Sequence, residues 1–100
     1  MQTQQVHFTL GQVVGPLGAL EALSATGEQP STFLCRHRQG DWGDLGDEDK
    51  RLNDEAVAHE GDKDRQGRVL SAYRLKNKVK IWVLSEWDRS ATTGLLPSEY

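Results

Sequence analysis

Residues equipped for acid–base or metal chemistry crowd into one stretch of this chain, from His37 to Glu48. Asp41, Asp44, Asp47 and Glu48 place four carboxylates within eight residues, and oxygen-rich clusters of that kind bind hard cations such as Mg²⁺ or Ca²⁺. Their spacing departs from the EF-hand pattern, which wants alternate acids, a glycine and a closing glutamate. The same acids also suit a plainer role, as negative charge at the head of a helix. His37 and Asp41 can pair as base and orienter. Together with Asp44, and with Arg89 as an anion clamp, they outline a small metal-dependent phosphoesterase or nuclease. No nucleophile motif accompanies them, and His7, His37 and His59 lack the spacing of a zinc protease helix. The residues therefore assign no catalytic group, no metal ligands and no cofactor outright.

Two further groups bear on binding. Arg68, Arg74, Lys76, Lys78 and Lys80 interleave with Tyr73 and Trp82, a pattern with which a β-ribbon can track a nucleic-acid backbone. Lysines on a strand edge also guard sheets against aggregation. Trp42, set among acids and glycines, and Trp87 each read either as core residues or as anchors for a partner.

These residues must be positioned by a coarse series of elements. His7–Val14 reads as a short strand from its β-branched residues. Pro16 starts a helix over 16–25, with Leu17, Leu20 and Leu23 at helical spacing and Gly27 to end it. A second helix, Thr32–Arg38, turns Phe33, Leu34 and His37 inward and stops at Gly40. After a glycine-rich loop, a third helix runs from Asp47 to His59, with Leu52, Ala56 and His59 on its apolar stripe. Arg68–Leu75 and Val79–Trp87 form a hairpin around Lys76-Asn77-Lys78, with Asn77 expected to take the positive φ. Ala91–Leu96 returns as a third strand ended by Pro97. The expectation is one α+β domain over residues 1–100: a three-stranded antiparallel meander, a short N-terminal strand, and two or three helices on one face. Residues 1–6 are expected to be disordered.

Composition narrows the class. One hundred residues, 36 % hydrophobic, supply one small core. No run of apolar residues is long enough to span a bilayer, the N-terminus lacks a secretory pattern, and a single cysteine, Cys35, forbids an internal disulfide. The expected setting is the cytoplasm. A net charge of −3 argues against a generally basic nucleic-acid binder. The charge is unevenly placed, with nine acids against Lys50 and Arg51 in residues 41–62 and a basic excess from 63 onward. Either these are two solvated faces that neutralise each other, or one of them meets an oppositely charged partner.

Four stretches also carry a likeness: Phe8-Thr-Leu-Gly-Gln-Val-Val, Gly18-Ala-Leu-Glu-Ala-Leu, His37-Arg-Gln-Gly-Asp-Trp-Gly-Asp-Leu and Asp88-Arg-Ser-Ala-Thr-Thr-Gly-Leu-Leu-Pro-Ser-Glu-Tyr. Together they resemble a group of small, largely uncharacterised bacterial proteins carried on plasmids, phages and integrated elements. The resemblance covers most of residues 7–100 and implies a mobile-element setting, in which small acidic proteins bind host machinery. The functional expectation is therefore a non-enzymatic protein-binding module. By analogy with inhibitors of restriction or CRISPR systems, it would block a nucleic-acid-targeting defence complex. Its acidic segment, with Asp41, Trp42, Asp44, Asp47 and Glu48, would meet a basic protein surface. The metal-dependent enzyme of His37, Asp41, Asp44 and Arg89, and a nucleic-acid-binding accessory using Arg74, Lys76, Lys78 and Lys80, are the alternatives.

Overall fold

The computed structural model describes residues 8–100; the expectations for residues 1–6 and for a strand beginning at His7 lie outside the described residues. Within them the chain runs β1 (Gln12–Val14), α1 (Leu17–Thr26), α2 (Pro30–Arg38), α3 (Asp47–Ala58), β2 (Val69–Arg74), β3 (Lys80–Ser85) and β4 (Ala91–Leu95), closing on a 3₁₀ turn at Pro97–Glu99. The four strands form one sheet in the order β1-β4-β3-β2. β2, β3 and β4 are the expected antiparallel meander, and β1 joins its far edge parallel to β4, so the sheet is mixed and the fold is α+β.

Local signals set most boundaries. Gly27 and Gly40 adopt positive φ after α1 and α2, the left-handed conformation that ends a helix without a Cβ penalty. Pro30 occupies the first turn of α2, where its missing N–H leaves nothing unpaired. The hairpin tip departs from expectation: Lys78, not Asn77, takes the positive φ. Asn77 instead uses its side-chain oxygen to accept the Val79 N–H at 3.1 Å, which leaves the left-handed position to its neighbour. The first strand is also shorter than its sequence pattern. Gly11 has φ +65° and presses so close to Arg89 and Ser90 that a Cβ there would strike their backbone. The chain breaks at that point, and Phe8 turns into the core, stacked on Trp42.

One sheet face, carrying Tyr73, Ile81 and Val83, is covered by α1 and α2 through Leu23 and Phe33. A second cluster joins Phe8, Trp42, Ala56 and Val69. α3 lies beside β2 with Asn53 and Ala56 inward, whereas Leu52, expected on the buried stripe, is 49 % exposed. Asn53 replaces a missing strand: its amide donates to Leu70 O at 2.6 Å and accepts from Leu70 N at 3.2 Å. Two residues along, Trp42 O accepts the Ala72 N–H and Asp44 N–H donates to Ala72 O. This edge of the sheet is thus capped at successive outward positions, which removes the template for strand addition.

Candidate functional site

The fold does not bring the predicted site residues together as a catalytic centre. His37 projects from α2 onto the sheet face where the apolar pattern is interrupted by Ser71, Ser85 and Thr92, all fully buried. Its Nδ1 lies 2.5 Å from Ser71 Oγ and its Nε2 2.9 Å from Ser85 Oγ. Ser85 Oγ lies 2.6 Å from Thr92 Oγ1, which donates to Leu10 O at 2.7 Å. Each hydroxyl has one proton to give, so the last bond orients the whole chain. Thr92 donates to Leu10, Ser85 to Thr92, and His37 Nε2–H to Ser85, leaving Nδ1 to accept from Ser71. The imidazole is a neutral Nε2–H tautomer. Burial, helped by the charge of Arg89, pushes its pKa down to about 3. Phe8 and Trp42 pack edge-on against the ring and seal it. The expected pairing of His37 with Asp41 is therefore corrected: both ring nitrogens are taken by hydroxyls, and the ring has no solvent access.

Asp41 is held by Arg36, with Nε–Oδ2 at 2.7 Å, and also accepts the Gly43 N–H. Arg36 keeps its carboxyl below the usual carboxylate range. Asp44 pairs with Arg74 at 2.7 Å, and Lys80 Nζ stands 4.0 Å away; Arg74 depresses its pKa in the same sense. Two of the four residues expected to track nucleic acid, Arg74 and Lys80, thus meet the acidic segment of their own chain. Lys76 and Lys78 stay exposed at the hairpin. Arg89 is no open anion clamp either. Its side chain is 5 % exposed and grips Glu60 through Nε and Nη2, while Nη1 donates to the Gly67 and Glu86 carbonyls. An anion is already there, and it is the protein's own. Among the described residues no three His, Cys, Asp or Glu side chains converge as a metal site would require.

Trp42, read either as a core residue or as a partner anchor, is a core residue: it is 5 % exposed, with its indole N–H on Asp54 Oδ1 at 2.9 Å. Of the two tryptophans weighed as anchors, Trp87 is the one that remains half open. Glu48 and Glu55 share Arg51 across α3 at 2.6 and 2.7 Å, and Arg51 lowers the Glu48 pKa. That leaves Asp47 and Asp49 in the first turn of α3, exposed, with no described basic side chain paired to either. The helix end itself supplies their favourable field.

The residues behind the likeness noted above prove to hold the fold: His37 threads the hydroxyl chain, Trp42 locks α3, and Arg89 ties the β3–β4 turn to Glu60. Glu99 caps both Leu96 N and Gly18 N. Sequence reasoning missed Ser71, Ser85, Thr92, Asn53, Asp54 and Glu60 as their partners. Three small hydroxyl residues on otherwise apolar strand faces were the available signal. No family model matches the chain, and no curated protein or solved structure matches it.

Proposed function

We propose that the protein is a non-enzymatic binding module that meets a basic protein surface through the outer face of α3. In the mobile-element setting that the resemblance implies, it inhibits a nucleic-acid-targeting defence complex of the host. One observation carries this reading: the groups that chemistry would need are committed inside, while α3 holds acids outward on a fixed support. His37 and Arg89 are buried with every polar atom partnered. α3 is fastened at two points, Asn53 on Leu70 and Asp54 on Trp42, so Asp47, Glu48 and Asp49 are presented without loop entropy to lose on binding. Such complementarity speeds encounter and selects the partner more than it deepens affinity. Internal pairing of Asp41 and Asp44 narrows the contact surface to the helix head.

The test is an affinity capture from bacterial lysate, with and without nuclease, comparing the wild type with Asp47→Lys/Asp49→Lys. These two side chains break no described ion pair when reversed, and a thermal melt confirms the variant's fold. A stoichiometric partner with a basic surface that survives nuclease and is lost in the variant supports the reading. A partner retained by the variant, or held only through nucleic acid, rejects it.

A further inference from the structure

The two edges of the sheet are treated in opposite ways, and we infer that the uncovered one, β1, pairs antiparallel with β1 of a second copy of this chain about a two-fold axis at Val13. At the other edge β2 is capped by Asn53 and by the Trp42–Asp44 segment. Among the described residues nothing covers β1 in this way, and all three of its residues are exposed. Its register with β4 directs Gln12 and Val14 toward that strand, with Gln12 N–H on Ser90 O at 3.0 Å. By alternation the N–H and C=O of Val13 point outward. One outward residue is what a two-fold axis needs, because Val13 opposite its own copy exchanges both hydrogen bonds as a closely bonded antiparallel pair.

The side chains around this edge fit the same occupant. Val13 and Val14 are 48 % and 42 % exposed, Leu17 70 % and Leu20 50 %. Val13, Val14 and Leu20 open onto an apolar groove of about 180 Å³ that reaches down to Phe33 and Ile81. No charged residue occurs from Phe8 to Leu20. Natural edges carry lysines or prolines to repel strand addition; within this strand there is neither. A symmetric contact sets every charge against itself, so a chain of net charge −3 meets its copy best where no charge lies. A basic partner gains nothing at an uncharged edge. A single outward residue also gives a foreign strand only two backbone bonds, whereas self-pairing adds the aliphatic set of both copies.

Sedimentation equilibrium over a wide concentration range tests this, together with amide exchange followed by NMR. The mass is expected to rise with concentration toward twice the 11.2 kDa of one chain. The Val13 amide is expected to become protected over the same range, while Gln12 and Val14 are protected throughout by β4. Val13→Lys places like charges across the axis and should weaken the dimer about tenfold or more; at dilutions where both proteins are single chains its thermal melt should stay close to that of the wild type, since the side chain is half exposed. Leu20→Glu, which leaves the backbone pairing intact, should weaken it as well. A single-chain mass at every concentration, or a dimer that survives Val13→Lys with the Val13 amide still exchanging freely, overturns the proposal.

Discussion

Lowering the pH from 7 to 5 should destabilise this fold by about 2 kcal/mol, and His37 should account for nearly all of it. In the unfolded chain a histidine ionises near 6.5, whereas burial among Phe8, Trp42 and the hydroxyls pushes His37 down to about 3. The unfolded state therefore takes up the proton first, and acid favours unfolding. This stability is fully present above pH 6.5, falls as pH drops from 6.5 toward 3, and levels off below that. The slope approaches about 1.4 kcal/mol per pH unit once the unfolded state is protonated. Between pH 7 and 5 the loss integrates to about 2 kcal/mol, or roughly 8–16 °C in Tm for a domain of this length. The carboxylates that ion pairs or hydrogen bonds hold low, Asp41, Asp44, Glu48 and Asp88, act in the same direction but in a lower window. Their contribution is lost as pH falls below about 4. The two arms separate along the pH axis.

Urea unfolding at half-unit pH steps from 7.5 to 3.5, on the wild type and on His37→Gln, reads this out. The variant should be less stable at pH 7, because its amide cannot span both Ser71 and Ser85, yet nearly flat between pH 7 and 5. NMR of the ring nitrogens should find Nε2 protonated and Nδ1 bare down to pH 4. A wild-type midpoint that does not move between pH 7 and 5, or a folded-state titration of His37 near 6.5, would refute the oriented hydroxyl chain.

Two further substitutions probe the same core from other sides. Gly43→Ala should be among the most damaging single changes, since Gly43 has φ +73° and a Cβ there would collide with Ala72 O and the Tyr73 ring. The expected loss is about 3 kcal/mol or more by urea unfolding, and a change under about 1 kcal/mol would show that the β2 edge is not closed as described. Arg89→Lys keeps the charge but not the fork that spans Glu60, Gly67 O and Glu86 O. It should cost about 2–4 kcal/mol, visible as a fall in the urea midpoint, and near-wild-type stability would refute the role given to that network.

How far the sequence displays this fold depends on whether each signal is local. The glycines that end α1 and α2, Pro30, the acids at the head of α3 and the alternating residues of β3 each act within a few positions, so they can be read directly. The parallel pairing of β1 with β4 cannot, because three residues carry too little pattern to name a partner near the other end of the chain. Asn53 defeats periodicity for a different reason. Polarity places it outside, but its amide reproduces a peptide group and satisfies an edge strand, so it displaces Leu52 from the buried side. His37 is the most instructive misreading. Beside Asp41 in sequence it looked like a base, yet its partners lie 34 and 48 residues away. They are marked only by hydroxyls where β2, β3 and β4 face the core. A buried hydroxyl needs a partner, and three of them on neighbouring strands need one group with a donor and an acceptor on opposite sides. Neutral histidine meets that requirement, which is why the residue best suited to catalysis is held in the interior as a structural strut.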